Sequence, residues 1–133
     1  MVFFSYSLQR YRSFYALQAS ENVPRTIQEM IRVAKSGATI LILTKHPFRN
    51  LIEGHINDGK SDYYSQRKVT SYILNKSITL IEPGHTIMDY LNAEVLRMAQ
   101  LELFEEHTDF PASEQVISGL IYPTYMILKF RKN

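Results

Sequence analysis

The stretch NVPRTIQEMIRVAKSGATILIL, residues 22–43, decides the fold. Val23, Ile27, Met30, Ile31 and Ala34 recur at helical spacing and lay one apolar stripe along a helix. Asn22 can cap that helix, and Pro24 suits its first turn, where a missing N–H costs nothing. Lys35 is expected in the last turn, where a cation favours the helix dipole, and Gly37 is expected to stop the helix. ATILILT, residues 38–44, follows at once. It is apolar throughout and rich in β-branched residues, so it reads as a strand buried on both faces, as in a parallel sheet.

Upstream, Val2, Phe3, Phe4 and Tyr6, with the small Ser5 and Ser7, read as a buried strand over 2–7, and LQRYRSFYALQASENV, residues 8–23, reads as a loop that runs into the helix signal. Strand, helix and strand in that order make a βαβ unit, whose crossover should be right-handed. Downstream, residues 45–85 form a polar and aromatic lid-like insert, broken by Gly54 and Gly59, in which VTSYIL and ITLIEP are candidate short strands. Helical spacing returns over 86–98 through Met88, Leu91, Val95 and Met98, and Thr86 with Asp89 resembles a capping box. LELFEE (101–106) and TYMILKFRK (124–132) are strands without a helical crossover between them, so they can pair antiparallel. The expected class is α/β in one domain of residues 1–133: two parallel strands, then an antiparallel pair, with flanking helices.

Composition narrows the function classes. With 45% apolar and 21% charged residues, the chain is of ordinary globular type. A net charge of +2 is too small an excess to imply nucleic acid, and the Lys129, Arg131, Lys132 end reads as solvated. No cysteine is present, which excludes disulfides, thiolate metal sites and a cysteine nucleophile, and suits a reducing compartment such as the cytoplasm. The opening apolar run is too short for a signal peptide, and no run approaches the roughly 20 apolar residues of a membrane span. The four histidines show no metal-ligand spacing, so no metal is expected.

Four segments in order resemble the C-terminal half of a class I S-adenosylmethionine-dependent methyltransferase of the small-molecule type. VFFSYSLQR resembles that family's fourth strand and the loop after it. NVPRTIQEMIRVAKSGATILIL resembles the next helix and fifth strand, GHTIMDYLNAEVLRMAQLELFEE the helix and sixth strand, and YPTYMILKFRK the closing seventh strand. The resemblance implies a Rossmann-like half-sheet. The family's other half carries most of the cofactor site, with a Gly-rich turn after its first strand and an acidic residue ending its second. Neither motif occurs in this chain, and none of its 5 glycines forms Gly-x-Gly after a strand.

The resemblance therefore implies a subunit of a split methyltransferase, active only with a partner that carries the N-terminal half and binds most of the S-adenosylmethionine. The family places its fourth strand beside its first, so the strand over 2–7 is expected to have an edge for that partner, or for self-association. A non-catalytic interaction module and a truncated enzyme with a misplaced start stay open as alternatives.

Candidate site residues follow the same logic, because ligands of doubly wound folds sit at the carboxyl ends of parallel strands. Tyr6, Ser7 and Leu8 are the expected cofactor contacts, and Gln9 stands where the family often has a histidine. Arg10, His46 and Arg49 are expected near substrate, since a guanidinium fork suits a carboxylate or phosphate. Tyr63 and Tyr64 could stack on a flat substrate, and Phe14 with Tyr15 could do the same. His85 is the candidate general base, with an ordinary pKa near working pH. Each of these residues has a plain structural alternative in packing, capping or solvated loop.

Overall fold

The computed structural model describes residues 2–4, 10–14, 16–59, 62–65, 68–73, 77–109 and 117–133, with the backbone alone for 2–4, 10–14 and 73. Helix α1 (Val23–Val33) forms as its periodicity predicts: Val23, Ile27, Met30 and Ile31 are buried, and the Asn22 side chain accepts the Arg25 N–H at 3.1 Å. It ends at Val33, so Arg32 rather than Lys35 occupies the last turn. Gly37 takes a φ of 77°, a left-handed conformation that disfavours side-chain-bearing residues, and turns the chain into β3 (Thr39–Lys45).

Among the described residues the main sheet has five strands in the order β1-β2-β3-β7-β6. These are β1 (Val2–Phe4), β2 (Arg10–Phe14), β3, β6 (Ala99–His107) and β7 (Tyr125–Lys132). β2 runs parallel to β3, with Arg10 level with Thr39 and Phe14 with Leu43, while β3–β7 and β6–β7 pair antiparallel. The expected loop over 8–23 thus contains a strand. The strand parallel to β3 is β2, not the opening one, and β1 instead pairs antiparallel with β2 as the short outer arm of a hairpin. RYRSF lacks an apolar run, so its strand character comes from pairing with β3.

β3 is not buried equally on both faces as expected. Ile40, Ile42 and Thr44 are fully buried, whereas Thr39, Leu41 and Leu43 are only half-buried. The buried face packs with Met126, Leu128 and Phe130 of β7, with α1, and with Tyr90, Val95 and Ala99. Each fully buried Leu, Ile or Phe contributes about 1.5–3 kcal/mol of transfer free energy, so this face holds the core.

The expected helix over 86–98 is two short ones, α3 (Ile87–Tyr90) and α4 (Ala93–Met98). Thr86 and Asp89 do form a capping box, but Asn92 caps anew by accepting the Val95 N–H at 3.0 Å, and that second cap breaks the helix.

The insert is more regular than its composition suggests. It holds α2 (Pro47–Asp58) and a separate two-stranded sheet of β4 (Lys68–Ile73) and β5 (Ile78–Pro83). α2 starts at an unusual cap, His46, whose Nδ1 accepts the Phe48 N–H at 3.0 Å. It ends at Gly59, left-handed with a φ of 66°. Gly54 is buried within the helix and does not break it.

Candidate functional site

The carboxyl end of β3 sends two successive side chains to opposite faces of the sheet. Lys45 reaches the insert. Its ammonium donates to Glu53 Oε2 at 2.7 Å, Glu82 Oε2 at 3.0 Å and Ser71 Oγ at 3.2 Å, which uses all three of its donors. Arg49 Nε donates to the other oxygen of Glu53 at 2.7 Å. Lys45, Glu53, Ser71 and Glu82 are all buried, so two cations and two carboxylates neutralise one another and pin α2, β4 and β5 to β3. Buried charges are tolerated only when paired and hydrogen-bonded in this way.

His46 turns the other way. Because its Nδ1 accepts a backbone N–H, its proton sits on Nε2, which donates to Glu106 Oε2 at 2.6 Å. Burial pushes this imidazole below its ordinary pKa, while the Glu106 carboxylate pulls it up. From His46 an aromatic chain runs outward, with ring centroids of 4.8 Å to Phe48, 5.7 Å from Phe48 to Tyr63 and 5.2 Å from Tyr63 to Tyr64.

A small cleft of about 20 Å³ lies where α2 meets the turn at 62–65, β4 and the segment before α3. Pro47, Leu51 and Val69 give it apolar walls, Tyr63 adds an aromatic one, and Asn50 and His85 add polar groups. The Tyr63 hydroxyl accepts the Ile87 N–H at 2.7 Å, and burial raises its phenol pKa. His85 Nε2 donates to the Gln18 carbonyl at 2.9 Å, and Asn50 Nδ2 donates to the Pro83 carbonyl at 3.2 Å. The remaining polar atoms of these two buried side chains, His85 Nδ1 and Asn50 Oδ1, have no hydrogen-bond partner among the described residues.

Of the residues singled out in the sequence, the structure gathers Tyr63 and His85 around one cleft. Tyr64 stands outside it, 80% exposed. His46 and Arg49 are not among its lining residues; His46 is engaged by Glu106 and Arg49 by Glu53. Arg10 opens β2 beside Thr39, at the amino end of the parallel pair rather than in a loop at its carboxyl end. Tyr6, Ser7, Leu8, Gln9 and Tyr15 lie outside the described residues, and of Phe14 only the strand backbone is described. Lys45, Asn50, Glu53, Ser71 and Glu82 were not anticipated. A Lys closing an apolar strand and the Arg49–Glu53 spacing are the signals that could have found part of the cluster.

Among the described residues no group of three or more His, Asp or Glu is placed to hold a metal ion, and no helix is long and apolar enough to cross a membrane. The described residues also do not by themselves fit S-adenosylmethionine. β3 ends in a Lys committed to an ion cluster, and neither β2 nor β3 runs into a Gly-rich turn.

No family model matches the chain. No curated protein matches it by sequence. The fold, however, is similar to solved structures assigned as S-adenosylmethionine-dependent methyltransferases. One from Listeria monocytogenes superposes with a TM-score of 0.62 at 15% identity, over 94% of this chain and 61% of its own. One from Mesorhizobium loti gives 0.58 at 15% identity, over 93% and 61%. One from Methanosarcina mazei gives 0.59 at 12% identity, over 96% and 63%. The chain has an α/β fold of the methyltransferase kind and spans about three-fifths of those proteins' length.

Proposed function

We propose that this chain is the substrate-side part of an S-adenosylmethionine-dependent methyltransferase acting on a small molecule in the cytoplasm, and that a partner polypeptide carries most of the cofactor site. The observation that supports this best is the asymmetric match. Methyltransferases cover nearly all of this chain, yet more than a third of each is unmatched by it. Two features of the sheet agree with that reading. β1 ends the sheet and pairs only with β2 among the described strands, and the face of β3 opposite α1 is only half-buried.

In the family the position beside the fourth strand belongs to the first. Here β2 holds the fourth strand's relation to α1 and β3, and a three-residue β1 fills the neighbouring position. A strand that short is a weak edge cover, with three residue pairs in its register. In this reading the partner's first strand displaces β1 or adds beyond it. The chain's own part is to supply the α2 and β4–β5 layer and the cleft, and to exclude water from substrate there.

The test is purification of the chain from its native source, with mass measurement of the intact complex. A heteromer whose second chain has a strand, a Gly-rich turn and an acidic-ended second strand supports the proposal. A homo-oligomer overturns it in favour of an interaction module, and a longer native chain overturns the split.

A further inference from the structure

We infer that the outer edge of β5 docks a second copy of this chain: two β5 strands pair antiparallel about a two-fold axis at Leu80 and join the two-stranded sheet of each copy into one. This surface is separate from the β1 end of the main sheet, on which the proposed function rests.

The direction of the backbone groups follows from β4. The Thr70 N–H donates to Asp58 Oδ2 at 2.7 Å, and the Asn57 amide donates to the Thr70 carbonyl at 2.8 Å. Both main-chain groups of Thr70 therefore point toward α2 and away from β5. Thr70 is level with Ile81, and in an antiparallel pair the residue opposite an outward-pointing one also points outward. Ile81, and Thr79 two residues before it, thus present N–H and C=O groups at the outer edge of β5. Pro83 fits the same register, because its missing N–H would have faced that edge and costs the ladder nothing.

The two edges of this small sheet are treated differently. Asn57 and Asp58 of α2 cover the edge of β4. Among the described residues, nothing hydrogen-bonds to the outer edge of β5 over 78–81. That stretch, ITLI, has no charge and no bulge in its register, and all four residues are exposed, Ile81 to 68%. A bare apolar edge is a template for another strand, and natural sheets normally blunt it with charge, a bulge or cover.

The register selects a second copy as the occupant. With the axis at Leu80, Thr79 lies opposite Ile81 of the second copy and Ile81 opposite its Thr79. Every outward N–H and C=O of these residues then finds a partner, and the contact is the same from both sides. An axis at Ile81 would instead set Thr79 against Pro83, which has no N–H to give. Leu80 meets its own copy at the close, non-hydrogen-bonded position, and the uncharged stretch sets no like charges against each other.

The experiment is sedimentation equilibrium of the full chain from about 10 µM to about 1 mM, because a single strand edge buries less than the roughly 1,600 Å² of a standard interface and holds a dimer weakly. The mean mass should rise from that of one chain toward that of two. Ile81→Lys, at a side chain already in solvent, should leave the circular dichroism unchanged and the chain monomeric throughout. The chain has no cysteine, so Leu80→Cys supplies a sole thiol. Facing residues at a non-hydrogen-bonded position lie about 4.5 Å apart at Cα, within disulfide reach, so mild oxidation should cross-link Leu80→Cys about tenfold faster than Leu96→Cys on α4. A monomer at about 1 mM, a dimer that survives Ile81→Lys, or equal cross-linking of the two cysteine variants would overturn the inference. The native complex, weighed at the same concentrations, separates it from the proposed function. Two copies of each of two chains fit both. Two copies of this chain alone keep the β5 pairing and overturn the split enzyme; one copy of each chain does the reverse.

Discussion

On the sheet face beneath α1, Ile40, Ile42, Met126, Leu128 and Phe130 are fully buried; on the other face, Leu41, Leu43 and Ile127 are half-buried, and the Lys45 end is closed by charges. The first face is finished by the chain itself with apolar packing. Among the described residues the second is closed at its carboxyl end, by the ion cluster that holds α2, β4 and β5. Sheets of this type are normally covered on both faces. The contrast therefore separates a self-sufficient half of the molecule from a half built to be completed or to hold ligand.

The largest effect that would sharpen this contrast is expected at Phe130. Phe130→Ala should cost about 3–5 kcal/mol in urea denaturation, because it empties the centre of the closed face. Lys45→Met should cost about 3 kcal/mol, since it leaves Glu53 and Glu82 buried without their shared cation. It should also speed amide exchange in β4 and β5 far more than in β7, and equal exchange in both would break the idea that the cluster is a local clamp. Leu43→Ala should cost only about 1 kcal/mol in the isolated chain, because the side chain is only partly buried, and more once a partner covers that face. A cost as large as that of Phe130→Ala in the chain alone would show the second face to be closed already.

The smallest effect is in pH dependence. His46 is buried with its pKa held below the ordinary value of about 6.5. The unfolded chain therefore takes up this proton before the folded chain does. The stability linked to His46 is fully present above about pH 6.5 and is lost as pH falls below it toward the folded value. His46→Asn keeps a capping side chain for α2 and should flatten that slope in denaturation midpoints measured between pH 7 and pH 5.

The closed face was readable because each of its signals is local. Apolar spacing in α1, the Asn22 cap, the apolar run of β3 and the Thr86–Asp89 box are all written within a few residues. β2 and α2 were not readable. RYRSF becomes a strand through its neighbours, and α2 starts at a histidine cap and carries a glycine in its interior, both of which argue against a helix. The break between α3 and α4 depends on Asn92 competing as a cap within a continuous apolar pattern. His85 and Tyr63 could be named from residue type, but their meeting at one cleft with Asn50 depends on the unread helix.

The measurement closest to the central claim is titration calorimetry of S-adenosylhomocysteine into the purified chain alone and into the complex isolated from the native source. The account predicts no measurable heat of binding for the chain alone and saturable one-site binding for the complex. Micromolar binding by the chain alone would contradict it, because the chain would then need no partner to hold the cofactor.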